Sequence, residues 1–397
     1  MKTITKTKDL LEFCKGAASC EYITVDTEFL RERSYYSKLC LVQLALPGET
    51  NENAILVDPL SELISLEPLY DVFRNESIVK VFHAARQDLE IFCLNAGVLP
   101  KPLFDTQVAA MVCGFGDQVG YETLVNRITK KGLDKSSRFT DWSRRPLTDS
   151  QKSYALGDVT HLRQVYEHLA EKLEATGRGR WLEEELETLT NQETYISKPE
   201  EAWKRIKTRS NSPKFLAIVQ ELAEFREKYA QSRDIPRNRV FKDDALVELA
   251  STKPVDINEL QRSRLLQKDA RKGDIARGIV VCIKRALERP NSDLPQLSTS
   301  MDRNNVNPAL ADLLRVLLKA KTEKTGVAAK LIAGSSDLDA LASGESDVPA
   351  MKGWRYEVFG EDAEKLCRGE IALIANGRKV EIFPIASGKV NRKNIFF

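Results

Sequence analysis

The sequence predicts an α/β fold, in which a mixed sheet with helices occupies the first part of the chain and mainly helical modules follow. Short β-branched and apolar runs alternate with polar turns up to residue 82. Apolar residues then recur at helical spacing from 104 to 168, and strand-like runs disappear after about residue 173. Since domains usually contain about 100–200 residues, a chain of 397 residues should form two or three.

Four apolar runs in the first part are predicted to be strands. Three of them, 22–29, 39–46 and 54–57, follow one another closely and would form an antiparallel meander. The fourth, 78–82, is followed by helical spacing from Ala84 to Asn95 that ends at Gly97, a suitable C-terminal cap. The arrangement indicates a layered sheet and helices.

Two helical modules are predicted after a linker near residues 190–210. The first contains helices at 215–232, 242–250, 257–260 and 275–288, and Ser210-Asn-Ser-Pro213 offers its first helix an N-cap followed by proline. The second runs from about 307 to 366. It ends in two apolar runs, 371–374 and 380–385, around Asn376-Gly377, which strongly indicates a hairpin.

Composition excludes several classes of protein. With 42% hydrophobic and 30% charged residues, the chain is predicted to be globular and not disordered. No membrane-spanning run or signal peptide is recognisable, so we expect a cytoplasmic protein that does not bind a membrane. Seven cysteines without a Cys-x-x-Cys pair, and only three histidines, indicate that any metal is held by oxygen, which favours Mg²⁺ or Mn²⁺ over zinc.

The net charge of +2 conceals an uneven distribution. Residues 198–290 contain 22 Lys and Arg against 14 Asp and Glu, a net charge of +8, so the rest of the chain carries −6. This basic segment is either a solvated helical surface or a patch that neutralises phosphates.

Asp26-Thr-Glu28 is the first candidate for chemistry. The i, i+2 spacing in a strand places both carboxylates on one face, where they repel each other. Two ionised acids in an apolar setting need a compensating positive charge, and a divalent cation is the simplest. Among 58 acidic residues, however, Asp-x-Glu pairs also arise by chance.

Four further residues are ambiguous when their motifs are taken singly. Asp88 lies in a first helical turn, where an acid ordinarily complements the helix dipole. His83, at the end of a strand, could be structural or could contact a substrate. Tyr154 and Asp158 are four residues apart on one helix face, which is either plain surface or a water-orienting pair.

Taken together, these motifs resemble the three exonuclease motifs of the DEDD 3′→5′ exonuclease superfamily. With Tyr154 in the last motif, the chain resembles the tyrosine subclass of that superfamily. The histidine subclass has a histidine five positions before the last aspartate, where this chain has Ser153. The local sequences at 25–29, 41–44, 82–85 and 140–147 are similar to those of the ribonuclease D family. Residues 235–246 resemble the HRDC module of that family.

The resemblance implies three domains. A ribonuclease H-like exonuclease domain would occupy 1–195, an HRDC helical nucleic-acid-binding domain 210–290, and a second HRDC-like domain 303–390. The segment 376–397 matches the family least, and no function is assigned to it.

The resemblance also implies the reaction, which is hydrolysis of the 3′-terminal phosphodiester of RNA to release nucleoside 5′-monophosphates. Two divalent ions, Mg²⁺ or Mn²⁺, would activate water and neutralise the leaving oxygen. Asp26, Glu28 and Asp158 would hold one ion, Asp26 would bridge to the second, and Asp88 would support the second through water. Tyr154 would orient the attacking water.

The implied substrates are transfer RNA precursors with 3′ trailers. We expect the enzyme to have no obligate protein partner. Several side chains near the motifs are candidates for binding RNA: Phe29, His83, Arg144, Arg145, Arg31, Arg33 and Arg138. Exposed arginines are common, however, and Phe29 could equally belong to the core. Two alternatives remain, a 3′→5′ DNA exonuclease of the same chemistry and a nucleic-acid-binding scaffold with an inactive nuclease fold. The intact set of four acids and Tyr154 argues against the scaffold.

Overall fold

The computed structural model describes residues 2–133, 137, 140–208, 210–295 and 306–385. Its buried apolar side chains form three main clusters, within 4–195, 202–286 and 311–363. We call the parts of the chain built around them the first, second and third modules. A smaller apolar cluster, within 40–159, covers the other face of the sheet in the first module.

The first module contains a six-stranded mixed sheet. Its strands are β1 (Lys2–Ile4), β2 (Tyr22–Leu30), β3 (Lys38–Ala45), β4 (Ala54–Val57), β5 (Val79–Phe82) and β6 (Leu103–Asp105). Their order is β1-β4-β3-β2-β5-β6. The predicted antiparallel meander of β2, β3 and β4 is confirmed, while β5 runs parallel to β2. The edge strands β1 and β6 were not predicted, because three residues are too few to show a period.

Helices cover both faces of this sheet. They are α1 (Thr7–Ala17), α2 (Glu67–Arg74), α3 (Arg86–Ala96), α4 (Thr106–Val112), α5 (Tyr121–Thr129), α6 (Asp149–Thr176) and α7 (Gly179–Leu189). The predicted cap of α3 is confirmed: Gly97 has φ +64° and its N–H donates to the Cys93 carbonyl. Helical spacing predicted helices from 104 to 168; this was wrong at its start, where Leu103–Asp105 pairs with β5, and loops separate the helices that follow.

Helix α6 lies across the sheet face that bears the short acidic motif. A capping box between Thr148 and Gln151 begins the helix. Its residues Ala155 and Val159 pack in the smaller cluster, and the Thr24 hydroxyl of β2 donates to the Val159 carbonyl at 2.8 Å. This contact fixes α6 directly over β2.

The second module is helical, as predicted. It contains α8 (Pro213–Arg233), α9 (Arg237–Val240), α10 (Asp243–Thr252), α11 (Ile257–Leu260) and α12 (Gly273–Glu288). Ser212 caps α8 by accepting from the Phe215 N–H. Part of the segment predicted to be a linker forms a 3₁₀-helix, Pro199–Arg205, and Ala202 and Ile206 are buried in the second cluster.

The third module is helical and ends in the predicted hairpin. Its elements are α13 (Pro308–Thr325), α14 (Ala329–Ile332), α15 (Ser335–Ala342), α16 (Gly353–Arg355), α17 (Glu361–Arg368), β7 (Ile371–Asn376) and β8 (Lys379–Pro384). Trp354 stacks on Trp181 of the first module with ring centroids 5.0 Å apart. Residues 303–305 and 386–390 of the predicted last domain lie outside the described residues.

None of the described helices combines the length and the apolar character needed to cross a lipid bilayer.

Candidate active site

Three carboxylates from two elements meet on the α6 side of the sheet. Asp26 and Glu28 share one face of β2, and Asp158 approaches them from α6. One carboxylate oxygen from each residue lies within 4.8 Å of the others, and all three side chains are partly exposed. The alternation of the strand and the docking of α6 thus bring Asp158 to two acids that lie 132 and 130 positions earlier in the chain.

Burial and mutual repulsion make this cluster unfavourable without a cation. Burial, followed by the charges of Asp158, Asp88 and Glu28, raises the pKa of Asp26 well above its usual range. Burial, followed by Asp158 and Asp88, raises the pKa of Glu28 to about 9. A divalent cation would favour the ionised forms, and hard cations such as Mg²⁺ prefer carboxylate oxygens. The donor set therefore fits a divalent metal.

Asp88 lies beside this cluster but is not one of the three converging carboxylates. It is buried in the first turn of α3 and accepts a hydrogen bond from Thr27, whose side chain leaves β2 on the face opposite Asp26 and Glu28. Burial raises the pKa of Asp88 to about 7, against the hydrogen bond from Thr27, which lowers it. Its own charge raises the pKa of both Asp26 and Glu28.

A cavity of about 400 Å³ opens in front of the carboxylates. Its lining includes Asp26, Asp158, Tyr154, His83 and Tyr121. Tyr154 and Asp158 thus face the same space, as their four-residue spacing on α6 predicts. The phenol ring of Tyr154 lies 6.0 Å from the ring of the buried Trp142 and packs against the cluster to which Trp142 belongs.

Comparison with known proteins identifies the family of this chain. A 3′-5′ exonuclease family model matches residues 1–174, and an HRDC domain model matches residues 215–280. Ribonuclease D of Jannaschia sp. (strain CCS1) is 62% identical over 383 residues, covering 96% of this chain and 99% of that protein. The chain belongs to the ribonuclease D family. Ribonuclease D of Bartonella henselae is 43% identical, covering 100% of this chain and 94% of that protein.

The fold agrees with this assignment. The crystal structure of Escherichia coli RNase D, described as an exoribonuclease involved in structured RNA processing, has a TM-score of 0.81 and 30% identity, with 93% of this chain and 98% of that chain covered. The protein is therefore a 3′→5′ exoribonuclease of the DEDD superfamily that acts on RNA. The superfamily is metal-dependent, in agreement with the acidic cluster.

His83 and Tyr121 form one wall of the cavity in this ribonuclease D fold. The His83 Nδ1 lies 3.0 Å from the Thr106 hydroxyl, and burial lowers the pKa of His83. The Tyr121 hydroxyl donates to the Asp158 carbonyl at 2.7 Å. Tyr121 thus holds the backbone of α6 at a predicted metal ligand, a role that no local sequence signal indicates.

Asp105 positions the junction between β5 and α3, which carries His83 and Asp88. Its two carboxylate oxygens accept from the backbone N–H groups of Ala84 at 3.0 Å and Ala85 at 2.9 Å, and one of them also accepts from that of Gln107 at 2.8 Å. Ala84 has φ +57°, a conformation uncommon for a residue with a Cβ. Asp105 therefore stabilises a turn that the local sequence disfavours.

We expect Asp105→Ala to lower the free energy of unfolding by about 2–4 kcal/mol, because several backbone donors lose their acceptor and α4 loses its N-cap. Urea denaturation followed by circular dichroism measures the change. Asp149→Ala, which removes an exposed acid from the first turn of α6, serves as the matched control and should cost less than about 1 kcal/mol. Equal losses in the two variants would contradict the assigned role.

The predicted RNA-gripping residues differ in how the structure engages them. The Arg145 guanidinium binds both carboxylate oxygens of Asp58, at 2.6 and 2.7 Å, and the Cys40 carbonyl at 2.6 Å. These bonds leave Arg145 poorly suited to hold phosphate and favour a structural role instead. Arg144 is 84% exposed and pairs only loosely with Asp141, at 3.3 Å.

Phe29 is partly buried and packs against the main cluster of the first module. Arg138 lies outside the described residues.

Proposed function

We propose that Asp26, Glu28 and Asp158 hold one divalent metal ion, Mg²⁺ or Mn²⁺, and that Asp26 is shared with a second ion supported by Asp88. The convergence of three carboxylate oxygens within 4.8 Å beside a cavity of about 400 Å³ carries this proposal. The reaction would release nucleoside 5′-monophosphates one at a time from the 3′ end of RNA.

Two bound ions would supply an acidified water and stabilise negative charge on the phosphate and the leaving oxygen. The chain's own groups then have simple tasks. The carboxylates hold the divalent ions. Tyr154, on the same α6 face as Asp158, orients the attacking water through its hydroxyl. A phenol is a poor base at neutral pH, so positioning is the contribution that Tyr154 can make.

We propose that Phe29, His83 and Arg144 contact the terminal nucleotides. His83 lines the cavity, and the exposed guanidinium of Arg144 is available to a ligand. The physiological substrates would be transfer RNA precursors with 3′ trailers, a proposal supported by the role in structured RNA processing described for the Escherichia coli relative.

The proposed domains are 1–195 for the exonuclease, 210–290 for the HRDC domain and 303–390 for a second HRDC-like domain. The separate hydrophobic clusters support this division. We also propose that the enzyme works in the cytoplasm, because its seven cysteines are free thiols, as expected in a reducing compartment.

The test is digestion of matched 5′-labelled RNA and DNA oligonucleotides by the purified protein, with Mg²⁺, Mn²⁺ or EDTA. We expect RNA to shorten from its 3′ end in single-nucleotide steps, nucleoside 5′-monophosphates to accumulate, and EDTA to stop the reaction. A precursor transfer RNA should lose its trailer. Internal cleavage, nucleoside 3′-monophosphate products or full activity in EDTA would contradict the proposal, and faster digestion of DNA would favour the DNA exonuclease alternative.

A further inference from the structure

A basic cleft lies between the first and second modules, outside the active-site cavity. It consists of two adjoining cavities, of about 530 and 410 Å³. Five arginines line them: Arg31, Arg86, Arg205, Arg226 and Arg237. We call this region the interdomain cleft.

The walls of the cleft are held together by hydrogen bonds across the two modules. The backbone N–H groups of Tyr35 and Tyr36 both donate to one carboxylate oxygen of Asp234 at 2.9 Å. The Tyr35 hydroxyl donates to the buried Glu227, which also accepts from Ser197 at 2.9 Å. The loop after β2 is therefore docked on the end of α8, and the cleft between them has a defined shape.

Three of the five arginines are paired with the acids of the cleft. The pairs are Arg31 with Glu90 at 2.9 Å, Arg226 with Asp243 at 2.7 Å and Arg237 with Glu227 at 2.7 Å. Each acidic side chain among the residues that line the cleft is thus already paired with one of these arginines.

Arg86 and Arg205 carry the excess charge. Both side chains are exposed, and no ion pair joins either of them to a carboxylate within the described ranges. Guanidinium groups present a planar fork of donors that matches phosphate oxygens, so an anion with several phosphates is the chemistry that suits this cleft. Tyr36, which is 38% exposed in the same wall, offers a ring on which a base could stack.

The cleft adjoins the catalytic carboxylates through two elements. On α3, Arg86 and Glu90 are four residues apart and share the face toward the cleft, while Asp88 lies between them on the buried side. Arg31 follows the end of β2, five residues after Asp26, a separation of at most about 16 Å along an extended strand. An RNA strand with its 3′ end at the carboxylates thus has the cleft within reach.

We propose that the interdomain cleft binds backbone phosphates of the RNA strand upstream of its 3′-terminal nucleotide, with Arg86 of the exonuclease domain and Arg205 of the second module as the principal contacts. The proposal rests on the proposed function and deepens it, because both modules then hold one strand. The proposal explains part of the excess positive charge of residues 198–290 as a phosphate-binding site beside the reaction centre.

The experiment compares the full-length double variant Arg86→Gln, Arg205→Gln with a control of equal charge change, Arg74→Gln, Arg368→Gln. The control arginines are exposed and pair with acids on their own helices. The affinity for a fluorescent single-stranded RNA of about twelve nucleotides is measured in EDTA over a range of salt concentrations. Thermal melting should be nearly unchanged in both variants, since these are exposed side chains.

We expect the cleft variant to bind the oligonucleotide about tenfold more weakly at moderate salt. The slope of log affinity against log salt should fall by roughly 1.4, because each lost phosphate contact on a single strand contributes about 0.7. In Mg²⁺, KM for the same oligonucleotide should rise while kcat changes little. The control variant should keep the wild-type slope.

If the cleft variant and the control show the same salt dependence of RNA affinity, and the enzyme hydrolyses RNA, the proposed role of the cleft is wrong and the proposed function stands. A reduced slope in a protein that releases no nucleotide would support the cleft and remove the proposed function. Unchanged RNA affinity combined with lost affinity for a poly-aspartate peptide would assign the cleft to an acidic protein partner and overturn the proposal.

Discussion

Replacing Asp26 or Asp158 by asparagine is expected to abolish RNA hydrolysis while the protein stays folded. Each change removes a proposed metal ligand from the carboxylate cluster, and a loss of kcat of at least about a thousandfold corresponds to roughly 4 kcal/mol of transition-state stabilisation. In the metal-free protein the same changes should raise the melting temperature by a few degrees, because each relieves repulsion within the carboxylate cluster, where the pKa values of Asp26 and Glu28 are raised.

Two measurements check this expectation independently. Turnover is measured at saturating Mg²⁺, and thermal melting is measured in EDTA and in Mg²⁺. Mg²⁺ should stabilise the wild type, since a ligand that binds only the folded state raises its stability, and should stabilise either variant much less. Asp71→Asn, on the exposed face of α2, is the control and should behave as the wild type. Near-normal turnover in either variant, with a matched melting curve, would contradict the assignment of the site.

Local periodicity was enough to predict much of the fold. The strand from Tyr22 to Leu30 shows its alternation over nine residues, and its two acids share a face because the period of a strand is two. The cap at Gly97 and the hairpin at Asn376-Gly377 were also predictable, because each needs a residue that tolerates positive φ. Such signals lie within a few consecutive residues.

Contacts between distant parts of the chain were not predictable in this way. Asp105 acts on Ala84, and Tyr121 acts on Asp158, across 21 and 37 positions respectively. In each case the effect depends on a bond to a backbone group, and any residue type offers the same backbone group. No pattern of side chains in one segment could therefore reveal the partner.

Proximity in the sequence was also a poor guide to the role of a charged residue. Arg145 lies near the motifs, but its guanidinium is engaged by Asp58, 87 positions away.

Gln43 sits opposite Asp26 in the sheet and is fully buried, and neither atom of its amide has a hydrogen-bond partner among the described residues. A buried polar side chain of this kind is visible only once the strands are paired.

Tyr154→Phe is expected to lower kcat by about a hundredfold, or roughly 2.7 kcal/mol, with little change in KM. The reason is that the variant loses only the hydroxyl that we propose orients water, an interaction made chiefly in the transition state. The phenyl ring should keep its packing against Trp142, so thermal melting and stabilisation by Mg²⁺ should match the wild type.

Single-turnover kinetics on a short RNA is the appropriate measurement, because slow product release could otherwise hide a change in the chemical step. Tyr229→Phe, on α8 away from the cavity, is the matched control and should retain the wild-type rate. If Tyr154→Phe also retains that rate, Tyr154 serves to pack against Trp142 and the carboxylate cluster must position the attacking water without it. A rise in KM at constant kcat would instead place the hydroxyl in RNA binding.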